Sequence, residues 1–200
     1  MKAGTGRLAG VMALLALAAT GCGTADVRAS ERPVVDSALS RDLELARFRS
    51  ATDSTATLTG GAVSPSELAA AWVGAVARSD TAELRRMVLN SAEFAWVFYP
   101  TSPQSLPPYD LSPALMWDML SRQSDAGMTY VLGRLGGKPL SLERLDCGDV
   151  PVLEGDNRIW GPCVMTVRGG KGRSIATRLT GPIIERQGRF KFVSYTNDLD

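Results

Sequence analysis

The apolar residues of this chain change their period at Lys138, and that change restricts the folds open to it. Before that point they recur at helical spacing behind recognisable start signals. Ser64-Pro65-Ser66-Glu67 offers a serine N-cap, a proline in the first turn and a glutamate able to reach back. Leu68, Trp72, Val73 and Val76 then mark one helical face. Asp80-Thr81-Ala82-Glu83 repeats the device ahead of Leu84, Met87, Val88 and Leu89. Ser112-Pro113 opens a third helix carrying Leu115, Met116, Met119 and Leu120, expected to end near Gly127. Residues 92–110 between the second and third helices are read as an aromatic strand or short turn, then an extended proline-rich loop.

Beyond Lys138 the segments 140–147, 158–168, 174–186 and 189–196 are strand-like, rich in β-branched and aromatic residues. Gly148 to Gly155, Gly169 to Gly172 and Gln187-Gly188 separate them as turns, and Gly181-Pro182 is expected to bend or bulge the third strand. Gly169-Gly170-Lys171-Gly172 lacks the spacing of a phosphate loop and has strands on both sides, so it reads as a hairpin turn. Helices followed by antiparallel strands define an α+β domain, placed at residues 63–200.

The N-terminus has a different character. Lys2 and Arg7 precede an uncharged, mostly apolar stretch from Leu8 to Thr20, shorter than the roughly 20 residues that span a bilayer as a helix. A charged start, a short apolar core and small residues before a cut site describe a secretory signal peptide, residues 1–21. Ala19-Thr20-Gly21-Cys22 resembles the lipobox of bacterial lipoproteins, with Ala19 where leucine is commoner. The resemblance implies that Cys22 is acylated and becomes the mature N-terminus, with membrane lipid as its partner. Two anchoring signals suffice for stable attachment, and an acylated cysteine of this kind supplies more. By resemblance to enterobacterial lipoproteins, Gly23 in place of Asp after the cysteine implies an outer-membrane destination facing the periplasm.

Removing residues 1–21 takes two bases and no acid, so the mature chain carries 20 basic and 21 acidic residues, formally −1. That balance gives no reason to expect nucleic acid as a partner. With Cys22 taken by lipid, Cys147 and Cys163 remain in an oxidising compartment and are expected to form a disulfide. Trp160-Gly161-Pro162-Cys163 is similar to a thioredoxin-type redox motif. It lacks the first cysteine, however, and Val164-Met165-Thr166-Val167 continues it as strand instead of the helix that lowers a cysteine pKa. Two thiols and no histidine make a poor zinc site, and no cofactor motif is present.

Residues 22–62 are read as a lipidated tether holding a short helix at about 33–48, with Pro33 in its first turn and Val35, Leu39 and Leu43 along one side. The Ser/Thr/Gly-rich stretch 50–62 is expected to be a flexible linker.

Three helices followed by a curved antiparallel sheet, ending in Gly188-Arg-Phe-Lys-Phe-Val-Ser-Tyr195, resemble the NTF2-like (SnoaL-like) cone fold over roughly 63–196. In that superfamily the sheet curls round the helices and leaves a conical pocket. Members include isomerases, dehydratases, cyclases and non-catalytic modules, so the fold does not fix the function. Catalytic members often pair Asp with His or Tyr, and this chain has no histidine. A binding or interaction module of the envelope, for another envelope protein or a small apolar ligand, is therefore the leading expectation. The alternatives are an isomerase or lyase using Asp118 with Tyr99 or Tyr130, and a structural envelope-assembly protein. Tyr99, Trp117, Asp118 and Tyr130 are the candidate pocket residues, Trp96 being expected in the core and Tyr99 at a rim where its hydroxyl finds a partner.

Overall fold

The start signals read from the sequence are used as caps, and they set the helical half of the molecule. The structure, a computed structural model, describes residues 40–170 and 172–198. The segment read as a signal peptide, Cys22, the stretch read as a tether as far as residue 39, and Lys171 lie outside the described residues. The Ser64 hydroxyl accepts the Glu67 N–H at 3.1 Å and opens α2 (Pro65–Arg78), while the Glu67 carboxylate reaches one residue further back, to the Val63 N–H. Asp80 caps α3 (Thr81–Met87) in the same way. Ser112 caps α5 (Pro113–Leu135), whose core face carries Met116, Met128, Val131 and Leu135.

α5 continues eight residues beyond Gly127, where it was expected to stop. Gly127 is helical and closely covered: a Cβ there would lie 2.7 Å from the Thr196 carbonyl oxygen and 2.9 Å from Tyr195 Cβ. The residue serves the close approach of a strand to the helix, which neighbouring sequence does not reveal.

Of the strand and short turn open to the aromatic stretch, the structure takes the turn, in helical form. Asn90 and Glu93 form a reciprocal capping box for α4 (Ser91–Glu93), which continues as a π turn over Phe94–Phe98 and a 3-10 turn over Tyr99–Thr101. The intrinsic β preference of its aromatics is overridden by packing. The Phe94 ring meets those of Phe48, Phe98, Tyr99 and Trp117 at centroid distances of 5.3–6.3 Å.

Among the described residues, eight strands form two four-stranded antiparallel sheets. One has the order β1 (Leu140–Asp146), β4 (Val164–Gly169), β5 (Ser174–Thr180), β8 (Tyr195–Asp198). The other has the order β2 (Val152–Glu154), β3 (Asn157–Trp160), β6 (Ile183–Arg186), β7 (Arg189–Phe192). Three segments expected as single strands are each split between the sheets, at Gly161-Pro162, Gly181-Pro182 and Val193-Ser194. Proline has no N–H to give a ladder, which explains the first two breaks. The third follows from the second. Gly181 N–H donates to the Ser194 carbonyl at 2.8 Å and Val193 N–H to the Pro182 carbonyl at 2.8 Å, so the strands turn the corner together. A Cβ on Gly181 would meet the Ser194 hydroxyl at 2.7 Å.

Cys147 and Cys163 are disulfide-bonded, with Cα atoms 4.0 Å apart, immediately beyond the paired residues Asp146 and Val164. The bridge therefore closes the β1–β4 ladder at the corner.

The core has two parts. The larger joins α2, α3 and the C-terminal half of α5 to the inner faces of both sheets, with Trp72, Leu84, Met165, Ile183 and Phe192 buried. The smaller lies on the other side of the β2-β3-β6-β7 sheet and joins the aromatic turn to Leu45, Leu58, Ile184 and Val193. Leu45 belongs to α1 (Arg41–Arg49), which starts after its non-helical N-cap Ser40 and so begins later than the helix expected at about 33–48. This helix docks on the domain: the Arg49 guanidinium lies 4.2 Å from the Trp96 ring and donates to the Ala95 carbonyl, and Arg41 donates to the Pro100 carbonyl.

The stretch 50–62 is likewise fixed to the domain, in place of the flexible linker its composition suggested. Leu58 is buried, Arg186 donates to the Ala56 carbonyl, and Ala62 pairs with Phe190 beside β7. Its main fixture is a buried carboxylate. Glu93 Oε1 accepts the Thr59 N–H and hydroxyl at 2.6 and 2.9 Å, while Oε2 accepts the Asn90 N–H at 3.0 Å and the Lys191 ammonium at 2.7 Å. Both charged side chains are at most 2% exposed. Burial lowers the Lys191 pKa, and its attraction to Glu93 opposes that shift.

Candidate functional site

Where α3 ends, the chain turns extended at Val88, which bridges to Phe192, and the Leu89 N–H donates to the Phe192 carbonyl at 3.0 Å. This fastens the α3–α4 junction to β7. Across from it, the Tyr195 N–H donates to the Ser124 hydroxyl at 3.2 Å, tying the start of β8 to α5. The Tyr195 phenol is buried and donates to the Leu84 carbonyl at 2.6 Å; burial raises its pKa and keeps it protonated. These ties hold three walls apart at the strand corner and leave between them a half-open cleft of about 320 Å³.

The lining of the cleft mixes apolar with polar side chains, and Arg85, Asn90 and Asp125 are its exposed members. Val88, Leu89, Trp117, Leu120, Met128, Val193 and Tyr195 line it, while Arg85, Asn90, Ser91, Ser121, Ser124 and Asp125 stand round it. Arg85 on α3 and Asp125 on α5 form a 3.3 Å ion pair between its two helical walls. Its size falls at the lower end of small-molecule sites, roughly 300–1,000 Å³, which are characteristically apolar with a few oriented polar groups.

Of the four residues expected to make a pocket, only Trp117 lines this cleft. Tyr99 is 1% exposed, a core residue in place of a rim residue, and its hydroxyl donates to the Leu111 carbonyl at 2.8 Å. Burial raises the Tyr99 pKa, with Arg41 opposing the shift. Trp96 is the more exposed of the two, half-buried beneath Arg49 with its indole N–H 3.2 Å from the Thr52 hydroxyl. Asp118 lies on the solvated face of α5 and accepts from Arg122 at 2.8 Å. Tyr130 is half-buried beside Arg134, twelve residues along the same helix and so about 18 Å from Asp118 along its axis. The structure therefore joins Asp118 with neither tyrosine.

Glu154 is the acid with the most burdened surroundings outside the ion pairs: one of its oxygens is buried without a partner, and burial raises its pKa. It lies at the end of β2 and does not line the cleft. Among the described residues no group of three metal-ligating side chains is placed to hold an ion, and no helix is long and apolar enough to cross a membrane. Sequence reasoning missed Arg85, Leu120, Ser124, Asp125 and Met128. The helical spacing of the last four on α5 is visible, but the walls opposite come from Arg85 on α3 and from Val193 and Tyr195 some 70 positions later in the chain. No family model, no curated protein and no solved structure matches the chain.

Proposed function

We propose that this chain is a lipid-anchored binding module of the cell envelope that takes a small apolar molecule into the cleft at the strand corner. The observation that carries the reading is the cleft itself: its lining is more apolar than polar, and its one phenol is committed to a backbone carbonyl. Its one carboxylate stands at the mouth in an ion pair. Such a site can hold a ligand but offers no desolvated acid or base for proton transfer.

Anchoring rests on the lipobox-like Ala19 to Cys22, and the disulfide supports it by leaving Cys22 as the remaining cysteine. Gly23 favours the outer membrane, with the domain facing the periplasm. The order of helices before a sheet bent around α2 and α5 supports an NTF2-like cone, a fold compatible with non-catalytic binding.

Titration with an environment-sensitive apolar fluorophore tests the reading. The wild-type chain should bind at one site, and Leu120→Trp, which fills the cleft, should abolish binding with the circular dichroism unchanged. Equal binding by both proteins excludes the cleft. Labelling a producing strain with a fatty-acid analogue tests the anchor: the wild-type chain should carry label and Cys22→Ala should not.

A further inference from the structure

The mouth of the cleft offers an uneven set of polar groups. Asn90 uses its side-chain oxygen to cap α4, accepting the Glu93 N–H at 2.9 Å, so the group it has left to offer is its amide N–H. The Ser124 oxygen accepts the Tyr195 N–H, which leaves the hydroxyl proton to donate. Ser91 adds a hydroxyl. Arg85 contributes a guanidinium with five donors, of which one nitrogen faces Asp125 at 3.3 Å. Asp125 is the single charged acceptor lining the cleft, and Arg85 already neutralises it. The Arg85 and Asp125 side chains are 64% and 61% exposed, so the pair is water-screened and opens at little cost.

Resting on the binding reading above, we infer that the ligand is a single-chain amphiphile with a carboxylate head. Arg85 receives the head at the mouth, where the neutral donors can share it, and the acyl chain lies against Leu89, Leu120 and Met128. A guanidinium matches a carboxylate with two parallel hydrogen bonds, and charge-assisted bonds of this kind are the stronger class. Asp125 competes for the same guanidinium and must give way, which its exposure permits. A cationic head would meet the Arg85 charge and a set of donors. A neutral alcohol would keep the apolar contacts and forgo the ion pair.

The test uses the whole mature chain carrying Cys22→Ala, which removes the acyl groups, with Trp117 among its four tryptophans as reporter. Decanoate, decanol and decyltrimethylammonium are titrated at pH 8 in low salt. Decanoate should bind about tenfold more tightly than decanol, and raised salt should narrow that ratio. Arg85→Gln should bring the ratio near one. Asp125→Asn, which removes the competitor, should raise it, giving a second reading if Arg85→Gln does not fold. Equal affinity for decanoate and decanol in the wild type, or a preference for the cation, overturns the inference and leaves the binding reading standing. Failure of all three to bind overturns the binding reading itself.

Discussion

Replacing Lys191 by an apolar side chain, which takes from Glu93 a donor that even the neutral amine would keep, should cost more stability than any surface change in this domain. The ammonium is 2% exposed and reaches Glu93 at 2.7 Å, and Glu93 in turn is 1% exposed. In Lys191→Met the methylene stem is largely replaced, but Glu93 is left as a buried, unpaired charge. Breaking a buried pair from one side typically costs about 3–5 kcal/mol. Three further donors remain on the Glu93 carboxylate, two from Thr59 and one from Asn90, so the lower end, ~3 kcal/mol, is expected. Glu93→Gln with Lys191→Met should be less damaging than the sum of the singles, because the charge and its counter-charge leave together. Urea denaturation of the four proteins at pH 7 gives the cycle. Two singles below about 1 kcal/mol and an additive double would refute the argument, since a pair that dry must be coupled.

The same lysine gives stability a pH dependence with a definite sign. Its folded pKa lies below its unfolded value of about 10.4, so between the two the unfolded chain binds more protons and stability rises with pH. Tyr99 and Tyr195 act oppositely: their folded pKa values are raised, so above about pH 10 the unfolded chain ionises first and stability falls. Denaturation midpoints measured from pH 7 to 11 should pass through a maximum, and Lys191→Met should lose the rising limb. Gly127→Ala should destabilise by about 1–3 kcal/mol, because its Cβ would press on the Thr196 backbone at 2.7 and 2.9 Å; Gly133→Ala, where nothing lies within 4 Å, should instead stabilise slightly in thermal melts. Cys163→Ser should cost about 2–5 kcal/mol by the same urea assay, and denaturing the unreduced wild type should expose neither thiol of the Cys147–Cys163 bridge to a thiol reagent. Tyr99→Phe removes one buried hydrogen bond to Leu111 and should cost about 1 kcal/mol, while Tyr99→Ala should cost about 3–5 kcal/mol, as for a core aromatic.

The features legible in the sequence are those whose cause is local. Ser64, Asp80 and Ser112 cap helices because a hydroxyl or carboxylate three residues before a free N–H needs no distant help. The Gln187-Gly188 turn forms because both residues adopt positive φ, 50° and 72°, as a tight hairpin requires. The α4 capping box was equally visible as Asn90-x-x-Glu93, but the aromatic run behind it invited a strand reading. What escaped depends on partners far along the chain. Thr59 is an ordinary linker residue until a glutamate 34 positions away accepts its N–H and hydroxyl. Gly127 looks like a helix end until β8 passes across it. Tyr99 looks like a rim residue until its hydroxyl finds a carbonyl inside the core.

The cleft belongs to this second group, yet its position follows from strand breakers that can be read directly. Pro162 and Pro182 cannot donate to the ladder, so the two strands containing them turn at the corner, and hydrogen bonds from Gly181 and Val193 make the last strand turn with them. Val193 and Tyr195 fall on either side of that last turn, Val193 packing with the smaller core and Tyr195 with the larger. A continuous strand would carry one core without interruption past α5. The bent one separates the two cores there, and the space between them is the cleft, with Trp117 from the smaller core and Met128 from the larger on its walls. Restoring an N–H at the second break should therefore test the origin of the site as well as the fold. In Pro182→Val the backbone gains a donor and β-propensity, and if the proline drives the bend the strand should straighten and close the cleft. The expected outcome is loss of apolar-ligand binding with little change in β content by circular dichroism. Binding that survives in Pro182→Val would assign the bend to the Gly181–Ser194 contact instead.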